Sequence, residues 1–569
     1  MPRRLRCMIG GTPRLRPARI GIPLRSRDSV NRDDRGDGSP SDEEMTTVSA
    51  EHRAVAAGVD PAAPDLGLRL DRAARAPLYT QIAQSIRDGI TRGLLPVGAR
   101  LPPERQLAAR LGIDRTTVVA AYRELAADGL IDARVGRGTM VAATTRDRAD
   151  LPAAAPGIAW GELFAHSVRD DDPVLDQLAE LAGRADFISF AAGIPAPEHY
   201  PTAEIRALLD EALGTAGEGL LQYCPPEGLA PLREVIAARL TGRGALIDPD
   251  RVLVCAGSQQ GLYLLARSLI EPGDVVAVES PTYHGALQVF RAVGARIVPL
   301  PADREGIDPD RIGDLLARRT IKLLYVLPTF QNPTGATLSR DRRERLLRVA
   351  RRYGVVIVED DPYGELRYDG AELPSLLGID RAARDGVIYL STFSKTLFPG
   401  FRLGWVVAPP PVIERLAWVK SLVDLDSNPL AQWAVAEYVD RGGFDAHLDW
   451  VRQVYPVRRD ALASSLADRA GDLLDWRLPE GGFYLWARLA SGLRAREVLA
   501  ESISRGAAFV PGDLFHADGG GRHTMRLAFS ALTPSQITAG AARLGDATRA
   551  ATERHATRVR TSPPSTRIV

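Results

Sequence analysis

Lysine is almost missing from this chain: of 72 basic residues three are lysine, Lys322, Lys395 and Lys420, and the other 69 are arginine. Cysteine is as scarce. Cys7, Cys224 and Cys255 are too few and too scattered for a disulfide framework or a thiolate metal site, which fits a reducing, cytoplasmic setting. Eight histidines lie without the spacing of a zinc centre, so no metal is expected. No uninterrupted apolar run approaches the roughly 18 residues that a membrane-spanning helix needs. Net charge is only +1, so any surface for a polyanion has to be local. What is there is a 569-residue chain, 45% hydrophobic and 25% charged, too long for one core and suited to two or three domains.

Residues 1–74 open with Arg, Gly, Pro, Ser and Asp in no hydrophobic period, and are expected to be disordered. Eight arginines precede the first acid, Asp28, which suits a nucleic-acid arm or a transit peptide. The plainer expectation is that Met45 is the start. The composition returns to loop-like Thr, Ala, Asp and Pro from Thr144, so 143–185 is expected to be a linker, with VLDQLAELAG able to form a helix. Residues 549–569, rich in Arg, Thr and Ser, are expected to be a disordered tail.

Between these lie two patterned regions. In 75–142, Leu78, Ile82, Ile86 and Ile90 recur every four residues and predict a helix. LPPERQLAARLG predicts a second, opened by Pro103 and closed by Gly112, and Asp114 caps a third with Val118, Tyr122 and Leu125 inward. Two short strands around Gly136, Arg137 and Gly138 complete a winged helix-turn-helix. Ten arginines face six acids here, a local excess that suits phosphates. Arg115, Thr116 and Thr117 start the third helix, the part that would enter a major groove. Charge and helix count alone would equally suit a helical protein-interaction module.

From residue 186 to 548, Val/Ile-rich runs such as RVLVCAG, DVVAVES, IKLLYVLP, GVVIVED and GVIYLST alternate with amphipathic stretches. That pattern predicts an α/β domain with a largely parallel sheet covered on both faces, and ligands at the carboxyl ends of its strands. The unusual residues fall at those ends. Ser258 and Gln259 open a helix, a natural phosphate site; Asn332 sits in a turn; Glu359, Asp360 and Asp361 end a buried strand, with Tyr363 close behind. Thr392, Ser394, Lys395 and Arg402 follow GVIYLST. In a chain that uses arginine for almost every positive charge, a lysine among Ser, Thr and Gly points to chemistry a guanidinium cannot do: deprotonation and Schiff-base formation. Taken singly, each motif has an ordinary structural reading. Together they provide an amine, a carboxylate, phenol-directed donors and a phosphate cradle, the requirements of pyridoxal 5'-phosphate.

The first region, from PLYTQIAQSIRDGI through LPPERQLAARLGIDRTTV and AYRELAADGLI to the wing, resembles the winged-helix domain of GntR-type regulators. That resemblance adds Arg105 and Arg137 to the expected DNA contacts. The second resembles fold-type I, class I/II aminotransferases, with a pattern especially close to the aminoadipate and aromatic aminotransferases. It implies Lys395 as the aldimine-forming residue and proton shuttle, Asp360 as partner of the ring nitrogen, Asn332 and Tyr363 on the phenolic oxygen and Tyr283 stacked on the ring. It places Ser258, Gln259, Thr392 and Arg402 on the phosphate, together with Tyr223 from a neighbouring subunit, and Arg526 on a substrate or effector carboxylate. Thr392 stands where serine is commoner. The combination resembles MocR/GabR-type transcription regulators. It implies a cytoplasmic homodimer that binds operator half-sites in DNA and senses an amino compound, or the cofactor itself, through aldimine chemistry at Lys395. The alternative is an active aminotransferase acting on an amino acid and a 2-oxo acid.

Overall fold

The four-residue spacing of Ile82, Ile86 and Ile90 puts them on one helix face; in the computed structural model that helix, α1, runs Leu78–Thr91 with all three buried. The structure describes residues 70–71, 76–91, 94–96, 98–134, 138–142, 163, 172–184, 186–380, 386–490 and 492–561. They fall in two units divided near residue 158.

In the first unit α2, Glu104–Leu111, starts after Pro103 and stops at Gly112, which adopts the left-handed conformation. α3, Arg115–Ala127, is capped by the Asp114 side chain, which accepts from the Thr116 amide at 3.1 Å. Val118, Tyr122 and Leu125 pack with the α1 isoleucines in one core. The antiparallel strands β1, Ile131–Arg134, and β2, Gly138–Val141, form the wing. The expected contact Arg137, the segment 1–69, most of the linker and residues 562–569 lie outside the described residues.

The second unit is built on an eight-stranded sheet. After the short β3, Ile188–Ser189, come β4, Val252–Cys255; β5, Val275–Ser280; β6, Arg296–Asp303; β7, Gly306–Ile307; β8, Leu323–Val326; β9, Val356–Asp360; β10, Val387–Thr392; and β11, Gly404–Val407. The order is β4-β11-β10-β9-β8-β5-β6-β7, with β10, β9, β8, β5 and β6 parallel neighbour to neighbour. β4, β8 and β10 are buried along their whole length, so their sequences read as continuous apolar runs. β11 departs from the parallel pattern, running antiparallel to both β10 and β4. A smaller sheet joins β12, Leu474–Trp476; β13, Tyr484–Leu489; β16, Thr524–Ala528; and β15, Val510–Pro511, while β14, Ala507–Ala508, pairs with β3.

Two boundary expectations change. The last helix runs Pro534–Thr561, so a disordered tail does not begin at 549. Leu544, Ala547 and Ala551 keep one face of it buried, and Arg549 donates to the Arg469 carbonyl at 2.8 Å. Small buried alanines there carry the apolar stripe that the Arg/Thr composition conceals. At the other end, Val174–Ala182 is a helix whose buried Leu178 joins the large core, so this part of the expected linker is integral to the second unit.

Candidate functional site

Every parallel strand ends on the same side of the sheet, and the site forms there. β10 ends in Thr392, whose hydroxyl accepts from the Ser394 amide at 3.1 Å and donates to the Leu403 carbonyl at 2.8 Å. This caps the single turn Phe393–Thr396 and sets Lys395 at its exit. The half-buried amine donates to the Gly193 carbonyl at 2.7 Å. Burial, with Arg526 and Arg402 nearby, lowers its affinity for a proton, against Tyr484 and Asp360, which raise it. An amine so placed is more readily the neutral nucleophile than an exposed lysine.

Asp360, the last residue of β9, is 3% exposed. Its Oδ2 accepts from the Tyr325 hydroxyl at 2.5 Å, while its Oδ1 is buried with no protein partner. Burial pushes this carboxyl up to about 7. A buried acceptor left open is costly unless a donor meets it, and a protonated ring nitrogen is such a donor. Tyr325 was not evident from sequence, because a tyrosine inside an apolar strand reads as core.

The phosphate side is made by the turn from β4 into the helix Ser258–Leu269. Gly257 has φ +84°, and a Cβ there would come 2.6 Å from Nη2 of Arg402. Arg402 also reaches Ser394 Oγ at 3.3 Å. Ser258, Arg402 and Ser394 thus surround a helix N-terminus, which favours an anion. Gln259 accepts from the Tyr283 hydroxyl at 3.0 Å, holding that ring beside the site. Gln260, also unforeseen, fixes the turn by accepting from the Ala256 amide at 2.7 Å and donating to Asp424 at 2.6 Å.

Asn332 and Arg526 meet directly, Nη1 donating to Oδ1 at 3.0 Å, and Nη2 donates to the Ala191 carbonyl at 2.7 Å. The guanidinium lies 4.4 Å from the Tyr484 ring centre and 5.0 Å from that of Phe515. Its Nε is buried without a partner, a donor left for a ligand. Tyr363 shares a 2.8 Å hydrogen bond with Tyr484, and the Tyr484 hydroxyl would lie 2.0 Å from a Cβ at residue 193. Only glycine therefore fits between Lys395 and this tyrosine. Tyr484 itself follows Gly481-Gly482-Phe483, a context that gives no hint of its role. Tyr223 is not brought to these residues: it is 79% exposed on a surface turn.

In the first unit Arg105, Arg115 and Thr116 are exposed and Thr117 is half-buried. Arg115 is held by Glu104 through Nη2 at 2.9 Å and Nε at 3.2 Å, so its guanidinium is oriented along the start of α3.

The model of the aminotransferase class I and II family matches residues 185–544, and that of the bacterial regulatory proteins of the gntR family matches 78–141. The chain is 33% identical over 470 residues to the uncharacterized HTH-type transcriptional regulator YisV of Bacillus subtilis, covering 82% of this chain and 95% of that protein. It is 32% identical over 450 residues to the probable rhizopine catabolism regulatory protein MocR of Rhizobium meliloti, covering 78% and 88%. The chain belongs to the MocR-type transcription regulators. Its larger unit is similar to the structure of LysN, the α-aminoadipate aminotransferase of Thermus thermophilus complexed with N-(5'-phosphopyridoxyl)-L-leucine, with a TM-score of 0.66 and 37% identity, covering 70% of this chain and all of that one. In this MocR-type regulator the gntR-type region precedes the aminotransferase-like region along the chain. Among the described residues no helix is long and apolar enough to cross a membrane, and no cluster could hold a metal ion.

Proposed function

We propose that this regulator binds pyridoxal 5'-phosphate at Lys395 and uses that site to sense a small amino compound, or the cofactor itself, changing its hold on operator DNA in the cytoplasm. The observation that carries the reading is the buried, unpartnered Oδ1 of Asp360, on the same site as a desolvated lysine amine. When bound, the cofactor supplies an aldehyde for amines and an electron-withdrawing ring. Asp360 would accept from the ring nitrogen, and Tyr325 holds the other carboxylate oxygen so that the acceptor stays aimed. Asn332 and Tyr363 would face the phenolic oxygen, and Tyr283 would cover the ring. Ser258, Gln259, Thr392 and Arg402 would hold the phosphate, with Ser394 beside them. Arg526, with one donor free, would take a carboxylate on the amino compound.

The same reading makes the second unit a homodimer that completes the phosphate cradle with Tyr223 of the other copy. In support, Tyr223, Leu221, Leu422 and Leu425 are large apolar side chains left exposed on adjoining turns. The Cys224 amide donates to Asp426 at 3.0 Å and ties those turns together. Paired α3 helices would then read two half-sites, with Arg105, Arg115, Thr116, Thr117 and Arg137 at the DNA. The effector acts only through a difference in affinity between DNA-binding states.

The test is a footprint of the purified chain on its own upstream DNA, with and without pyridoxal 5'-phosphate and candidate amines. Protection that changes with the ligands is expected; no protection under any condition removes the reading. A second reading, turnover of an amino acid with a 2-oxo acid, is favoured by the joint presence of Lys395, Asp360 and Arg526. Single-turnover conversion of the bound cofactor to its amine form, followed by release of product oxo acid, would establish it.

A further inference from the structure

A cavity of about 340 Å³ lies apart from the lysine site, between the end of β5, the β6–β7 hairpin, the 331–337 loop and the β12–β13 hairpin. This is within the range of about 300–1,000 Å³ usual for small-ligand sites. Its walls carry the half-buried indoles of Trp476 and Trp486, with Pro281, Pro479 and Leu478. The charges around it do not cancel. Asp303 and Glu305 share Arg342 at 2.7 and 3.3 Å, Asp475 pairs with Arg304 at 2.8 Å and Glu480 with Arg367 at 2.7 Å. Burial pushes Glu279, at the floor, up to about 8, so it is mostly neutral near pH 7. Two cations remain. The Arg477 side chain donates only to the Arg304 carbonyl, at 3.1 Å, and the Arg488 guanidinium, on a residue whose backbone pairs in the sheet, makes no hydrogen bond or ion pair among the described residues.

We propose that this cavity is a second ligand site, for a small aromatic monocarboxylate whose ring lies against Trp476 and Trp486 and whose carboxylate is taken by Arg477 and Arg488. Aromatic faces contribute through stacking and burial, and a guanidinium holds a carboxylate through paired N–H donors. The site is distinct from the one at Lys395, yet the two share a wall. Gln331 lines the cavity and donates to Glu279 at 3.1 Å, while its neighbour Asn332 accepts from Arg526 on the other side. Trp486 stands opposite Arg526 in the β13–β16 register and packs edge-on to Phe515, 5.8 Å away.

Isothermal titration of the full chain with phenylacetate tests the proposal, with benzyl alcohol and acetate as probes lacking one half of the ligand. One phenylacetate per chain is expected, with both control probes binding at least about tenfold more weakly. Binding should persist in Lys395→Ala and in Arg526→Ala, and should weaken at least about tenfold in the exposed double variant Arg477→Ala/Arg488→Ala and in Trp476→Ala. Loss of binding in Arg526→Ala with retention in the double variant would place the acid in the lysine site and overturn the proposal. Absence of binding to the unmodified chain at millimolar phenylacetate would overturn it as well.

Discussion

Glu359, Asp360 and Asp361 are consecutive in sequence and face three different environments. Glu359 accepts from the Leu376 and Leu377 amides at 2.8 and 2.9 Å and caps the short helix Leu376–Ile379. Asp361 accepts from the Tyr389 hydroxyl at 3.0 Å. Its Oδ1 is also without a hydrogen-bond partner, but it lies on the side of Arg243, whose Nη2 is 3.9 Å from the other carboxylate oxygen. The free oxygen of Asp360, by contrast, belongs to the group that shares the site with Lys395. The alternation of side chains along a strand separates them, so the choice of Asp360 from three adjacent acids rested on family resemblance until the fold placed each one. Asp360→Asn keeps the shape and removes the charge; pyridoxal 5'-phosphate titration should show affinity at least about tenfold weaker, the value of a charge-assisted hydrogen bond. Glu279 gives a pH test. Its folded value of about 8 lies above the ordinary 4.5, so the folded state binds its proton more tightly than the unfolded chain. That contribution is full below about 4.5 and is lost as pH rises toward 8. Glu279→Gln has no such loss. In denaturant titrations, the stability of Glu279→Gln relative to the parent protein should therefore rise between pH 5 and pH 8, and a constant difference would refute the assignment.

At the level of elements, the strands and most helices were legible because burial on both faces writes continuous apolar runs, and one-sided burial writes a four-residue repeat. β11 was legible as a strand, but its antiparallel insertion between β10 and β4 was not, since strand direction leaves no mark on composition. The final helix failed for a different reason. Its buried face past residue 548 consists of alanine, which hydropathy patterning barely registers, on a background of Arg and Thr that also suits disorder. A chain ending at Thr548 should lose about 1–2 kcal/mol of stability, because Ala551 and the Arg549 bond to the Arg469 carbonyl go with it. Thermal melts of the shortened chain check this, and an unchanged midpoint would return those residues to the tail.

At the scale of the whole molecule the exposed apolar side chains bear on assembly. Exposed Leu221, Tyr223, Leu422 and Leu425 exceed the scattered apolar residues of an ordinary surface. Light scattering should report a dimer, and Leu422→Arg with Leu425→Arg should give monomers that bind pyridoxal 5'-phosphate more weakly, since Tyr223 of the second copy is then absent. Monomers with undiminished affinity would separate the cradle from the interface.

The sequence by itself determined that a winged helix precedes an α/β domain, that Lys395 is the chemically distinctive lysine, and which loops carry the polar groups, because periodicity and residue scarcity are local properties of the chain. Tertiary structure alone decided which of those groups meet. Tyr325 reaches Asp360 across 35 residues and Tyr484 reaches Tyr363 across 121, and no local pattern encodes a contact made by folding distant strands side by side. The same holds for the cavity beside Trp476 and Trp486: its charge balance exists only once Arg342, Arg304 and Arg367 have found their acids.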